Sequence, residues 1–251
     1  MTVLSVNLNK IALLRNARDT SIPSVIEAAK TCIEAGAQGI TVHPRPDQRH
    51  IRVSDVYALK TFLDDYPDIE FNIEGNPLAG PEANGYPGFM SLIDEIRPHQ
   101  CTLVPDDPLQ LTSDHGWDIR QNHNVLAPFI QELAHWSIRS SVFLDADPDQ
   151  VPAAAQLNIA RLELYTGPYA EHFDSPNGSA CLDAYVQTAQ RASECGIGIN
   201  AGHDLNLNNL PMLVKALPQL EEVSIGHALI ADALWVGLGK TVQQYCQAIQ
   251  R

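Results

Sequence analysis

Two Gly-His pairs, Gly202-His203 and Gly226-His227, stand 24 residues apart, each closing a short apolar run: GIGINAGH at 196–203 and EEVSIGH at 221–227. A glycine at a strand end lets a phosphate oxygen approach backbone N–H groups, and a following helix adds its positive N-terminal end. Two such ends side by side predict a phosphate site. The segment ITVHPRPDQRHI (40–51) ends a third run with His43 and then carries Arg45, Arg49 and His50. A strand-end histidine suits proton relay near neutral pH, and Arg45 can fork onto a phosphate, while Arg49 reads as a surface pair. In DIEFNIEGNP (68–77), Glu70 and Glu74 share one strand face. A carboxylate held partly away from water can serve as a base; for Glu74 a buried ion pair is an equal alternative. The segment KIALLRNARDT (10–20) offers Lys10, Arg15 and Arg18, of which one arginine suits a second phosphate and the other a solvated helix.

These residues need elements to position them. Eight runs have strand character: 4–9, 39–43, 68–74, 100–105, 140–146, 160–166, 196–202 and 222–227. Between them lie stretches of helical period, such as 24–36, which sets Val25, Ala28, Ala29, Cys32 and Ile33 on one stripe and stops at Gly36. Strict strand–helix alternation implies parallel strands, and a chain of 251 residues matches one (β/α)₈ TIM barrel over 1–251. Period-two alternation turns Val6, Leu8, Ile40, Val42, Phe71 and Ile73 toward the helices. It leaves Asn7, Asn9, Thr41, His43, Glu70, Asn72, Glu74, Glu163, Tyr165, Asn200, Gly202, Ser224 and Gly226 for the barrel interior. Unpartnered buried polar groups each cost on the order of 1–3 kcal/mol, so so polar an interior predicts a polar ligand. Two long connections stand out: 75–90, a Gly/Pro-rich excursion, and 105–122, a lid candidate after strand four.

Composition narrows the partners. Sixteen Lys and Arg against thirty Asp and Glu give a net charge of −14, which argues against nucleic acid and anionic membranes. No apolar stretch is long enough to span a membrane, and the first ten residues are too polar for a signal peptide. Five scattered cysteines without a CxxC pair fit thiols in a reducing cytoplasm. No HxH or HExxH occurs, which favours a metal-free site, and strand six ends ELYT without the lysine of a Schiff-base aldolase. Competing expectations on the same fold are a sugar-phosphate isomerase with a metal at His43 and Glu70, and a non-catalytic sensor of a phosphorylated metabolite.

The stretches NLNKIALLRNAR, GITVHPRPDQRHI, IEFNIEGNP, CTLVPD, VFLDAD, ELYTGPYA, NAGHDLN and SIGHALI occur in this order between residues 4 and 240. Together they resemble the pyridoxine 5′-phosphate synthase family. The resemblance implies a barrel with additional helices, a homo-octamer, and no metal or organic cofactor. It implies condensation of 3-amino-2-oxopropyl phosphate with 1-deoxy-D-xylulose 5-phosphate. Proton transfer would fall to His43, Glu70 and His203, with Glu163 an electrostatic stabiliser. Asn7 and Arg18 would hold the amino-ketone phosphate, with Asp204, Gly226 and His227 at the late-strand phosphate site. Arg45, His50 and Thr112 would hold the sugar phosphate. Asn9-Lys10 stands where well-known members carry Asp-His, a pair that contacts that phosphate, and Asp204 stands where some have glycine.

Overall fold

The computed structural model describes residues 2–18, 20–107 and 109–250. Eight parallel strands close into a barrel in chain order: β1 (Val3–Asn7), β2 (Gly39–Val42), β3 (Glu70–Gly75), β4 (Gln100–Leu103), β5 (Arg139–Leu144), β6 (Arg161–Tyr165), β7 (Gly198–Gly202) and β8 (Leu220–Ile225). β1 completes the ring by pairing with both β2 and β8. Each expected run overlaps one strand. The first is shorter than its run because Asn7 turns the chain: its Oδ1 accepts the N–H of Asn9 (3.0 Å), and a helix starts there, Asn9–Asn16. β7 starts late because Gly196, at φ +74°, first stops the preceding helix Gly178–Glu194. Eleven α-helices lie among the described residues, so the barrel carries additional helices.

The main core lies between strands and helices. Val6, Leu8, Ile40, Val42, Phe71 and Ile73 are buried on the outward strand face, as alternation requires. Facing them, the helix Val25–Glu34 buries Val25, Ala28, Ala29 and Cys32, and the Ser24 hydroxyl accepts Glu27 N–H at its start. Each fully buried Val, Leu or Ile contributes roughly 1.5–3 kcal/mol.

Inside the barrel many of the polar residues bond one another in layers, although Gln100 Nε2, Ser141 Oγ and Glu222 Oε1 are buried without a hydrogen-bond partner. In the middle, Ser5 bonds Thr41 (2.7 Å), Asn72 donates to Thr41 (3.4 Å), and the Thr102 hydroxyl reaches Asn72 (3.1 Å) and Glu163 (3.3 Å). At the N-terminal floor, Arg139 pairs with Glu70 and donates to Gln100 (2.9 Å), while Arg161 donates to Asn200 (2.9 Å). The C-terminal end remains for a ligand.

Both long connections brace that end. The excursion at 75–90 is ordered by buried Tyr86 and by Phe89 N–H on Ala79 O (2.8 Å). Asn84 donates to Pro46 O (2.8 Å) and accepts at its own carbonyl from Gln48 (3.1 Å), so it props the loop that carries Arg45. The 105–122 segment is anchored by Trp117, whose Nε1 donates to Leu103 O (3.2 Å). Among the described residues no helix is long and apolar enough to cross a membrane.

Candidate active site

A cavity of about 370 Å³ opens at the C-terminal mouth of the barrel. Strand side chains form its base: Asn7, Glu74, Glu163 and Ser224. The wall comes from the loops that follow the strands. Asn9 and Lys10 follow β1, His43, Arg45 and His50 follow β2, and Thr112 follows β4. His203 and Asp204 follow β7, and Gly226 and His227 follow β8.

Two expected residues are not brought here. Glu70 begins β3 opposite Gly39 at the barrel floor, paired with Arg139, and the Thr41–Asn72–Thr102 layer lies between it and the cavity. Strand period placed it on the correct face but could not tell floor from mouth; Glu74, four residues on, occupies the mouth. Arg18 is exposed and does not line the cavity. Arg15 is drawn inward instead, but to Asp55 and the His50 carbonyl (3.3 Å), where it fixes the loop. Of the three cations in that segment, Lys10 alone lines the cavity.

His43 is buried at the centre. Its backbone N–H donates to Asn9 Oδ1 (2.9 Å), so the amide at position 9 caps the end of β2. Its Nδ1 lies 4.0 Å from Glu74 Oε2 and its Nε2 lies 3.9 Å from Asp106 Oδ2. Burial, then the charges of Arg45 and Arg49, push His43 down to about 3, so its imidazole is neutral at pH 7. Glu74 accepts from Asn7 Nδ2 (3.3 Å) and Ser224 Oγ (3.4 Å). Burial and the nearby carboxyls of Glu163 and Asp106 raise it well above the usual carboxylate range. A neutral imidazole beside a carboxyl that burial pushes toward its protonated form is a pair able to exchange a proton with a ligand.

His50 accepts the N–H of Ile51 at Nδ1 (2.9 Å), and burial lowers it to about 3 as well, which leaves Nε2–H as its donor. Asp106 was not anticipated from the sequence. It is buried, pairs with Arg45, and accepts from Ser113 Oγ (2.9 Å). Its only signal was place, three residues beyond β4 on the mouth side.

The glycines differ in use. A Cβ on Gly202 would come within 2.4 Å of Glu163 Oε1, so that glycine makes room for a carboxyl. No helix follows it until Leu210–Ala216. Gly226 directly caps the ten-residue helix His227–Val236, whose N-terminus opens on the cavity. The paired helix ends expected from the sequence thus reduce to one, at Gly226.

Glu163 is raised by burial from 4.5 to about 7. Its folded pKa exceeds its unfolded one, so its contribution to stability is full at low pH and falls as pH rises between those values. Thermal melts from pH 5 to 8 should show Glu163→Gln with a shallower fall than wild type over pH 5–7. An unchanged slope would remove Glu163 as a source.

Among the described residues no group of three or more His, Cys, Asp or Glu side chains is arranged to hold a metal. A closed parallel barrel with a cavity lined by histidines and carboxylates at its C-terminal mouth defines the class, a (β/α)₈ barrel. The family model described as pyridoxal phosphate biosynthesis protein PdxJ matches residues 4–251, and the chain belongs to that family. A pyridoxine 5′-phosphate synthase of Porphyromonas gingivalis is 52% identical over 245 residues, covering 98% of each chain. One from Xylella fastidiosa is 52% identical over 244 residues, covering 97% of this chain and 93% of its own. Among solved structures, phosphoribosyl anthranilate isomerase from Thermotoga maritima aligns at a TM-score of 0.61 with 12% identity, over 99% of this chain and 98% of its own. An aminoacrylate-bound tryptophan synthase from M. tuberculosis aligns at 0.65 with 10% identity, over 99% and 94%. These two show the fold alone.

Proposed function

We propose that this chain is a pyridoxine 5′-phosphate synthase, a ring-closing transferase. It joins 3-amino-2-oxopropyl phosphate to 1-deoxy-D-xylulose 5-phosphate and releases phosphate and water. The observation that carries this reading is the His43–Glu74 pair in one cavity with Arg45 and the Gly226–His227 helix end. Ring assembly is mostly proton transfer: imine formation, enolisation, loss of phosphate and dehydration. It also needs a bisphosphorylated intermediate held at both ends.

Arg45, His50, Thr112 and Lys10 form the sugar-phosphate side. Asn7, Gly226 and His227 form the amino-ketone phosphate side. Burial holds His43 down first and the Arg45 charge second; a phosphate dianion on Arg45 offsets that second contribution, so binding strengthens His43 as a base. Glu74 then supplies or recovers the proton, Glu163 stabilises positive charge in the intermediate, and His203 is the acid for departing oxygen. The base role that the resemblance gives Glu70 passes to Glu74, and Arg18 has no contact from which to argue one. The 105–122 segment closes over the sugar phosphate, the chain works in the cytoplasm, and it assembles as an octamer. Purified protein mixed with both substrates should yield pyridoxine 5′-phosphate by absorbance and mass. Folded protein that forms none would overturn the assignment.

Lys10 gives a narrower test. It lines the cavity beside Asn9, where an ammonium attracts phosphate as a point charge. Lys10→Ala should raise KM for the sugar phosphate several-fold more than KM for the amino-ketone phosphate. Equal effects, or none, would place Lys10 outside substrate binding.

A further inference from the structure

His203 is held at both ring nitrogens. Nδ1 lies 2.9 Å from Asp204 Oδ2, and Nε2 lies 2.9 Å from the Thr112 hydroxyl. An edge-on Tyr165 ring at 5.3 Å limits its rotation. Both His203 (φ +84°) and Asp204 (φ +58°) adopt the left-handed backbone region. Aspartate tolerates that conformation better than most residues, and the turn aims its carboxylate back at the preceding ring. His203 draws Asp204 below the ordinary carboxylate range, first through the hydrogen bond and then through its charge, with His227 and Lys10 adding smaller effects. Asp204 is therefore ionised at neutral pH.

An ionised carboxylate is a poor neighbour for a substrate phosphate, since like charges repel at short range. It is a good partner for an imidazole N–H. We propose that the Asp204 side chain serves His203 rather than the phosphate. It is a positioning residue that holds the proton on Nδ1, aims Nε2 into the cavity, and stabilises the imidazolium when His203 is charged. The proposal rests on the acid role given to His203 above.

The proton accounting is simple. When His203 acts, its Nε2–H bond breaks and the proton joins the departing substrate oxygen; the C–O bond breaks with its electron pair, and water leaves. The Nδ1 proton stays, and Asp204 remains ionised. Thr112 bonds the same Nε2 and gives it up to substrate. Among the described residues, Asp106 and Glu163 also interact electrostatically with His203. They add to imidazolium stability but cannot fix the tautomer, because neither bonds the ring.

Asp204→Ala and Asp204→Asn separate these roles; asparagine tolerates the left-handed turn as aspartate does, so it controls for the backbone cost that alanine adds there. Nitrogen NMR of the ring reads the tautomer without any turnover. The neutral wild-type ring should be the Nδ1–H form, and Asp204→Ala should convert it mainly to Nε2–H. In steady-state assays the high-pH limb of kcat, where the acid loses its proton, should move down by about one pH unit in Asp204→Asn, with KM for both substrates within about twofold of wild type. An unchanged tautomer in Asp204→Ala would overturn the proposal whatever the reaction is. An unchanged limb, or a KM effect larger than the kcat effect, would overturn it in an active enzyme. Failure to form pyridoxine 5′-phosphate with the tautomer change intact would instead reject the function assigned above.

Discussion

Glu74→Gln should lower kcat by roughly 10²-fold or more while leaving the protein folded, because it removes the proton but keeps the shape of the side chain. The carboxyl is buried, raised well above its usual range, and 4.0 Å from His43 Nδ1. An amide retains an acceptor for Asn7 or Ser224, so binding of both phosphates should change little. Glu70→Gln is the contrasting variant. Glu70 pairs with Arg139 at the barrel floor, and its loss should appear as a lower melting temperature with kcat within about fivefold of wild type. A folded Glu70→Gln with a 10²-fold loss in kcat, beside an active Glu74→Gln, would return the proton-transfer role to the floor.

That contrast shows where sequence reading succeeds and where it stops. The barrel was legible because its signals are local and repeated: period-two strands, apolar helix stripes, and glycines such as Gly36 and Gly196 that stop helices at positive φ. The inward face of β1, β2, β3, β6, β7 and β8 followed from the same period. Depth along a strand did not, since Glu70 and Glu74 obey one alternation and differ only in how far β3 runs before the mouth. Register with β2, which sets Glu70 beside Gly39 and Ile73 beside Val42, is a tertiary fact. Asp106 was missed for a related reason. A carboxylate in a polar loop looks solvated until the fold returns that loop to Arg45. Arg15 and Arg18 illustrate the same limit, because helix period alone did not tell which would be drawn to a buried partner.

Arg45→Met is expected to act on folding and on binding together, and the two can be separated. Arg45 and Asp106 form a buried pair, with Arg45 also donating to Gln110 O (3.0 Å) in the 105–122 segment. Removing one partner of such a pair strands the other, at a cost of about 3–5 kcal/mol. Asp106 already stands above its ordinary range because burial outweighs the Arg45 charge. Without Arg45 it should rise further, so the folded variant holds that proton more tightly than its unfolded chain does. Stability of Arg45→Met relative to wild type should therefore improve as pH falls from 8 to 5. Adding Asp106→Leu removes the stranded carboxylate and should recover most of the lost stability, since a well-packed apolar pair can replace a buried ion pair. Substrate binding should not return with it: losing a charged hydrogen-bond donor of about 1.5–3 kcal/mol corresponds to roughly 10- to 100-fold in KM for the sugar phosphate. Chemical denaturation and steady-state kinetics on the single and double variants read the two effects independently. A double variant as unstable as Arg45→Met would show that Asp106 is not the source of the instability, and a double variant with wild-type KM would show that Arg45 holds the loop and not the phosphate.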